Sequence, residues 1–428
     1  MKRILAILLI LVMVAGLVAC GNGTPETTPT PATPTPAPVT GDDNGDENGD
    51  ETAATGEPLI IGVPLALSGA FQDYGEQQRR GMILGLEYVS NGTGMIAGRP
   101  VELVFEDTTM VPDVARERTM SLIEGGAEII AGLTASGDAI AILPLLEEFN
   151  VVGVICAAAS DAIIAAPNWN PHVFRVGRTS GQDALAMANI IYNDAAPGAT
   201  VATLAPDTVF GHTMSEPFIA AAEGYGLVNV INEFIPPDAT DFTPYLLRIR
   251  QAAPDYLYVI WAGANPPWTQ LIEMDIPGVG TMITTGAPEI EALKTMLPIA
   301  RNGGIGFTVY YYTAPQNEPL NDWMVRRHFE DFGFQPDIFV PSGFSVMTAI
   351  ATALEQTGGN TDPEVLIPTM RGMQFPSPTG MRWFREEDHQ AMQVLFDVEF
   401  TYDPAIDHLV PVWRRTIPAD QLIPPIMN

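Results

Sequence analysis

The chain contains LIIGVPL at Leu59–Leu65, YGEQQRRGMILGLEYV at residues 74–89 and VELVF at residues 101–105. The first and third stretches are mostly apolar and rich in β-branched residues, which is typical of buried strands. In the second stretch the apolar residues recur at helical spacing. This order predicts two parallel strands joined by a helix, because parallel strands need a long crossover connection.

The same alternation of strand and helix continues as far as Ala314. Further apolar, strand-like runs occur at residues 128–131, 151–156, 200–205, 228–234, 256–261, 282–285 and 305–310. Segments with helical spacing lie between them, at residues 113–123, 138–149, 180–192, 214–224, 241–252 and 269–274. Strands without a polar face indicate parallel sheets covered by helices on both sides. The segment from Pro58 to Asn428 is longer than a domain with a single hydrophobic core usually is. We therefore predict an α/β fold of two doubly wound parallel-sheet lobes.

The first nineteen residues have the features of an export signal. Lys2 and Arg3 precede an apolar run at residues 4–18, which is too short for a permanent membrane span. The following Leu17-Val18-Ala19-Cys20 resembles the bacterial lipobox, which implies a signal peptide at residues 1–19 and a lipid on Cys20. An ordinary signal peptide with a chance cysteine is the alternative. The lipobox places the protein outside the cytoplasm, anchored to the cell membrane through Cys20.

Residues 20–57 have the composition of a tether. A Thr/Pro-rich block is followed by an acidic block, with almost no large apolar residue. Such a segment cannot bury enough apolar surface to fold, so we predict a disordered linker.

Charge and cysteine content exclude several classes of protein. The formal net charge is −31, which disfavours binding to nucleic acid or anionic lipid. Two cysteines in an exported chain exclude a disulfide framework. Cys156 lies in an apolar run, which predicts a buried packing role rather than a reactive thiol.

The sequence gives little sign of catalysis. The histidines have no metal-ligand spacing, and no phosphate loop or Gly-x-Ser-x-Gly motif is present. We therefore predict no metal, no cofactor and no enzymatic activity. A hydrolase built on Ser68, Asp207 and His212 is the alternative.

Small hydroxyl residues follow three of the predicted strands. Ser68, Ser136 and Ser160 each lie at the predicted entrance to a helix. Such residues serve as helix N-caps, or they converge with free backbone amides on a ligand carboxylate. The sequence leaves both functions open.

Several stretches together resemble a known family in their order and spacing. They are IGVPL at 61–65 with Ser68-Gly69 and Tyr74-Gly75, GRPVEL at 98–103 with Glu106-Asp107, PDATDFT at 237–243 with Pro254-Asp255, and PTG at 378–380. The chain is thus similar to the Leu/Ile/Val-binding solute-binding lipoproteins of branched-chain amino acid ABC importers. This resemblance implies a type I periplasmic binding protein, whose two lobes are joined by three crossovers.

The resemblance also suggests where the lobes divide. It places the crossings near Arg178, Ile305 and Met373. Residues 58–178 and 305–372 would then form the first lobe, and residues 179–304 and 373–428 the second.

The family's ligand pocket can be transferred to this chain by position. In the family, a hydroxyl residue in the second loop binds the ligand carboxylate. The matching position in this chain is Ala135, one residue before Ser136. The other matched positions are Tyr74, Ser160, Phe210 and Trp261. Further candidates are Ser68, Ala158 and Ala262 in the neighbouring loops, and Tyr312 in the aromatic run at 310–312. For each aromatic residue, ordinary core packing is the alternative.

One departure from the family concerns the ligand's ammonium group. The acidic residue that many relatives place after the strand at 282–285 falls at Ala287. Glu289 either reaches the ligand or simply begins a helix. Without a counter-charge a zwitterion is poorly held, so an amide, a carboxylate or an aromatic compound becomes a candidate ligand.

These observations predict an extracytoplasmic, monomeric receptor. It would capture a small solute between its lobes and deliver it to the permease subunits of an ABC importer. The alternative is a sensory module of the same fold that signals without transport.

Overall fold

The computed structural model describes residues 56–261, 266–296 and 304–428. The predicted signal peptide at 1–19, Cys20, nearly all of the 20–57 linker, and Ala262 lie outside these residues. Within the described ranges, no helix has the length and apolar character needed to cross a membrane.

The first sheet contains the strands with which the folded region begins. They are β1 (Leu59–Leu65), β2 (Met95–Ile96), β3 (Arg99–Asp107), β4 (Ile129–Gly132), β5 (Val152–Ile155) and β6 (Val173–Arg175), in the order β2-β3-β1-β4-β5-β6. All neighbouring pairs are parallel except β2 and β3. The crossover helices are α1 (Gln72–Val89), α2 (Pro112–Glu124) and α3 (Ser136–Glu148).

Three later helices, α9 (Pro319–Phe332), α10 (Val340–Thr357) and α11 (Pro363–Met370), return to the first sheet. Helix α10 packs closely along α1 at glycine positions. An ideal Cβ on Gly81 of α1 would be 2.0 Å from the Val340 carbonyl oxygen, and one on Gly343 would be 2.1 Å from that of Gln78. The two backbones can approach this closely because neither glycine carries a side chain.

The second sheet is built from the middle of the chain and its carboxyl end. Its strands are β7 (Thr200–Pro206), β8 (Val228–Ile235), β9 (Tyr256–Val259), β10 (Met282–Gly286), β11 (Ile305–Thr308), β15 (Leu395–Asp403) and β16 (His408–Ile417), in the order β16-β15-β11-β10-β9-β7-β8. Pairing is parallel except that β15 runs antiparallel to β11 and β16. The helices of this half are α4 (Ser180–Asp194), α5 (Val209–Gly224), α6 (Thr243–Ala252), α7 (Trp268–Glu273) and α8 (Ile290–Thr295).

A small antiparallel sheet lies beside the first sheet. It consists of β12 (Gln374–Phe375), β13 (Arg382–Phe384) and β14 (Ala391–Met392). The fully buried Arg175 of β6 ties it in place, because its Nε donates to Gln390 Oε1 over 2.5 Å. An isolated bridge also pairs Arg175 with Gln390.

Two doubly wound, mainly parallel sheets confirm the predicted α/β fold class. The exact lobe boundaries remain a prediction, but sheet membership moves two of them. The strand that begins at Ile305 pairs with β10 and β15, so it belongs to the second sheet and the chain crosses after Thr308. Because β14 pairs only with β13, the next strand of the second sheet begins at Leu395 rather than near Met373.

Cys156 directly follows β5 and is completely buried in the core of the first sheet. Burial raises the pKa of its thiol far above the ordinary value. The predicted packing role therefore fits its position.

Candidate functional site

A cavity of about 560 Å³ lies between the first and second sheets. Loops that follow β1, β4 and β5 form one side, and loops that follow β7, β9 and β10 form the other. These loops all extend from the carboxyl ends of parallel strands, which is where open α/β sheets bind ligands. The volume is in the range of pockets that hold small organic molecules.

One part of the wall is the amino terminus of α3, where Ser136 and Gly137 face the cavity. Ala135 precedes the helix and provides no side-chain cap. The Ala139 amide donates a hydrogen bond to the Ala135 carbonyl oxygen. The amides before Ala139 therefore lie at the positive end of the helix, ahead of the regular bonding pattern. The Ser136 hydroxyl oxygen accepts the Ser160 amide over 3.2 Å, which leaves its own proton to donate. This end of the cavity is suited to an anion.

Arg178 brings a cation to the same cavity. It follows β6, and its guanidinium lies 5.9 Å from the centre of the Phe339 ring. Its Nε is 3.2 Å from Oδ2 of Asp183, a buried residue in the first turn of α4. Burial raises the pKa of Asp183 to about 7, although the nearby Arg178 acts to lower it. Since the second carboxylate oxygen of Asp183 has no hydrogen-bond partner among the described residues, this ion pair is only partly satisfied.

Tyr74 and Glu289 connect the two sides of the cavity. Tyr74 belongs to α1, whereas Glu289 immediately precedes α8, and the tyrosine hydroxyl donates to Glu289 Oε2 over 3.1 Å. Burial raises the pKa of the Glu289 carboxyl group, and the bond from Tyr74 partly offsets this effect. Glu289 thus lies directly before a helix and also lines the cavity, and its contact with a ligand stays a prediction.

Aromatic side chains form much of the remaining wall. They are Phe71, Tyr74, Phe210, Tyr258, Trp261, Phe307 and Phe339. The Tyr74 ring packs against Phe71 and Phe339, with ring centres 5.1 and 4.6 Å apart. The buried Tyr258 hydroxyl has no hydrogen-bond partner among the described residues, so it can bond a ligand. An apolar ligand body fits these walls.

Residues 58–402 match the family model described as periplasmic binding protein. The chain belongs to the periplasmic binding protein family. The predicted resemblance is therefore confirmed, and this periplasmic binding protein has the two-sheet fold and the cavity between sheets that a solute receptor requires.

Solved and curated relatives agree with this assignment. A crystal structure of an ABC-type branched-chain amino acid transporter from Rhodopseudomonas palustris is 34% identical, with a TM-score of 0.79, over 86% of this chain and 99% of that one. The Leu/Ile/Val-binding protein homolog 6 of Brucella melitensis is 23% identical over 77% of this chain and 84% of its own length. A solute-binding protein of an R. palustris ABC transporter, solved in complex with 4-hydroxybenzoate, is 21% identical with a TM-score of 0.74, over 84% and 97% of the two chains. This periplasmic binding protein is thus a solute-binding protein of the ABC transporter type.

Six of the predicted site residues line the cavity of this periplasmic binding protein. They are Tyr74, Ala135, Ser136, Phe210, Trp261 and Ala287. Their contact with a ligand stays a prediction. Ala287 offers no charge, but Glu289, two residues later, supplies a carboxyl group to the same wall.

Four predicted residues lie away from the cavity wall. Ser160 is fully buried, and its hydroxyl oxygen accepts the Ala162 amide as the cap of a short 3₁₀ turn. Ala158 packs in the core around α3. Ser68 hydrogen-bonds Asp107, which helps to lower the pKa of that carboxyl group. Tyr312 packs against Tyr311 and lines a different cavity.

Several residues of the wall are not predicted by the sequence. Arg178 was considered only as a crossing point, although a cation just beyond a buried strand could have indicated an anion site. Asp183 has the appearance of an ordinary first-turn helix residue. Phe339 and Ile338 come from a segment that no local pattern connects with the loops they meet. The described residues contain no group of histidine, cysteine or acidic side chains arranged to hold a metal.

Proposed function

We propose that this solute-binding protein captures a small carboxylate with an apolar or aromatic body and delivers it to an ABC importer. The observation that carries the proposal is the placement of Arg178 and the start of α3 in one cavity walled by aromatic rings. We further propose that the protein acts by binding alone, without catalysis.

We assign the ligand carboxylate to the donors of Ser136 and Arg178, which both line the cavity. The Ser136 hydroxyl, the first-turn amides of α3 and the guanidinium are all donors, and charge-assisted bonds to a carboxylate are among the strongest in proteins. A ligand carboxylate would also give the Arg178 guanidinium a second acceptor beside Asp183. A neutral amide lacks the negative charge that Arg178 and the positive end of α3 would stabilise.

The body of the ligand is assigned to the aromatic walls. Ring stacking favours a flat apolar group, and the cavity volume suits a single ring or a branched aliphatic chain. Solute-binding proteins of the same fold have been solved with 3,4-dihydroxybenzoic acid, 4-hydroxybenzoate and benzoate. These compounds combine one carboxylate with one ring, which is a combination that the proposed assignment allows.

An amino acid is the second candidate ligand, and Glu289 is the observation that favours it. Its carboxyl group lines the cavity and accepts the Tyr74 hydroxyl, so an ammonium group placed beside it would gain a counter-charge. The relative with 34% identity is named as a branched-chain amino acid transporter, which points in the same direction. Burial opposes ionisation of Glu289, which favours the simple acid over the zwitterion.

We also propose that Cys20 carries the lipid anchor and that residues 21–57 separate the domain from the membrane. The sequence of the lipobox supports this proposal. Metabolic labelling with a palmitate analogue tests it, because the label should be incorporated by the full chain and lost in the Cys20→Ser variant.

A thermal-shift screen of the purified domain tests the ligand class. Benzoate, 4-hydroxybenzoate and L-leucine are compared with benzamide, which keeps the ring but lacks the charge. We expect an acid to raise the melting temperature, since ligand at about 100 times its Kd adds about 2.7 kcal/mol of stability. Stabilisation by benzamide as large as that by benzoate would contradict the assigned carboxylate end. Stabilisation by L-leucine alone would select the second candidate.

A further inference from the structure

A second cavity, of about 550 Å³, lies beside the ligand cavity. Helix α1 and the segment around His328 and Phe334 form one side, and α8 and the start of β16 form the other. Glu289 lines both cavities, so the two are neighbours separated by this residue. The proposed function assigns nothing to this second cavity.

Two hydrogen-bond acceptors in its wall have no partner within the part of the chain that the structure describes. His328 is completely buried, and its Nδ1 lies 2.9 Å from the Phe334 carbonyl oxygen. Since a carbonyl can only accept, Nδ1 carries the proton and Nε2 of the neutral ring is an acceptor. Neither Nε2 nor Oε1 of Gln335 has a hydrogen-bond partner among the described residues. A buried acceptor without a donor is costly, so the wall favours a ligand that brings N–H groups.

The charges in the wall are mostly negative. Carboxyl groups come from Asp73, Glu76, Glu289, Glu291 and Asp337. The two cationic side chains are already engaged: Lys294 pairs with Glu291 over 2.5 Å, and Arg80 lies over the rings of Phe332 and Phe334, about 5 Å from each centre. Glu76 is paired with Arg79, and burial raises the pKa of Glu289 and, to about 6, that of Asp337. At pH 8 the carboxylates of Asp73, Glu291 and Asp337 still outnumber the cations Lys294 and Arg80.

Aromatic rings complete the wall. Tyr311 and Tyr312 pack together with ring centres 4.6 Å apart, and Phe334 also lines the cavity. Ring faces attract cations, most strongly where water is excluded. Arg80 already makes this contact with Phe334, which shows that the wall accommodates a positive group.

We infer that the second cavity is a binding site for a small organic amine in its ammonium form. The N–H groups of the ammonium satisfy His328 and Gln335, its charge faces the carboxylates, and its carbon chain lies along the tyrosine rings. This inference goes beyond the proposed function, because the ligand differs in charge from the acid assigned to the first cavity.

Calorimetric titration of the purified protein with 1,4-diaminobutane at pH 8 tests the inference, with 1,4-butanediol as the uncharged probe. We expect the diamine to bind and the diol to give no binding heat. His328→Phe keeps a ring but removes the acceptor, and Asp73→Asn removes one exposed charge without disturbing the core. Each should weaken diamine binding at least fivefold, whereas Asp113→Asn on the exposed surface of α2 should not change it.

Circular dichroism shows whether His328→Phe remains folded, and Asp73→Asn tests the site independently of that result. Phe210→Ala distinguishes the two cavities, since it alters the first cavity alone. The inference is overturned if the diamine gives no heat, if both wall variants bind it as the original chain does, or if Phe210→Ala abolishes its binding. Because no carboxylate ligand is used, these outcomes are independent of the thermal-shift screen.

Discussion

Arg178 is the residue on which the assigned ligand chemistry depends most. It supplies the cation of the anion site, and its carboxylate partner Asp183 leaves one oxygen unsatisfied. The Arg178 Nε also makes no hydrogen bond among the described residues, so the guanidinium is available to a second carboxylate.

We predict that Arg178→Met weakens binding of the most stabilising acid by at least about tenfold, because a hydrogen bond to a charged group contributes about 1.5–3 kcal/mol. Calorimetric titration measures this change. Arg116→Met, on the exposed surface of α2, is the matched control and should bind as the original chain does. Equal affinities in the two variants would show that Arg178 takes no part in binding.

Asp183 makes the stability of the domain depend on pH. Burial raises its pKa from 3.8 to about 7, so the folded chain holds this proton over a range in which the unfolded chain has lost it. The folded state is favoured at low pH, and this contribution is lost as pH rises from about 4 through 7.

We predict that the original chain loses about 2–3 kcal/mol more stability than Asp183→Asn between pH 5 and pH 8. Urea unfolding of both chains at the two pH values measures the difference, and comparing the chains cancels the other titrating groups. Parallel losses of stability would mean that Asp183 does not titrate in this range.

The sequence predicted part of the site because loops after buried strands are recognisable locally. Tyr74 and Ser136 follow such strands, and both line the cavity. Ser160 occupies an equivalent position in its loop, but the local turn uses its hydroxyl group, which no spacing rule reveals. Phe339 reaches the cavity only because α10 packs against α1, a contact between distant segments.

Among the elements, the pair α1 and α10 holds the first side of the cavity in place. Tyr74 belongs to α1, and Phe339 directly precedes α10. The close approach at Gly81 fixes the distance between these two helices, and hence between the two rings that stack in the cavity.

We predict that Gly81→Ala destabilises the domain by about 3 kcal/mol, because the added methyl group meets the Val340 carbonyl and forces the helices apart. Urea unfolding monitors the change. Gly224→Ala, at the end of α5, is the matched control because an added Cβ there meets nothing within 4 Å. A similar midpoint for both variants would contradict the proposed close packing.

The strands were predicted well where they are long and apolar. Leu59–Leu65 has the predicted bounds, and the strand at Val152–Ile155 lies within its predicted run. The strand Val173–Arg175 is too short to show a recognisable pattern of apolar residues in the sequence. It forms because its neighbour β5 offers a free edge. The antiparallel hairpin of β15 and β16 was not foreseen, since the alternation of strand and helix had ended before it.

At the scale of the whole molecule, two hydrogen bonds join the sides of the cavity directly. Tyr74 donates to Glu289, and the Ile290 amide donates to Asp337 over 2.9 Å. Tyr74 and Asp337 lie with the helices of the first sheet, whereas Glu289 and Ile290 follow a strand of the second. These bonds hold the two sides of the cavity together, and a bound ligand would add contacts from both sides.

We predict that the double variant Tyr74→Phe, Asp337→Ala has a larger radius of gyration than the original chain in the absence of ligand. Small-angle X-ray scattering measures this quantity. Tyr192→Phe, an exposed tyrosine on α4, is the control and should leave the profile unchanged. Superimposable profiles for all three proteins would mean that these bonds do not hold the sheets together.

A crystal structure with the acid that stabilises the protein most tests the central claim directly. The account predicts that this acid lies between the two sheets, with its carboxylate within hydrogen-bond distance of Ser136 and Arg178 and its body against the aromatic walls. A carboxylate that faces Glu289, or an acid bound outside this cavity, would contradict it.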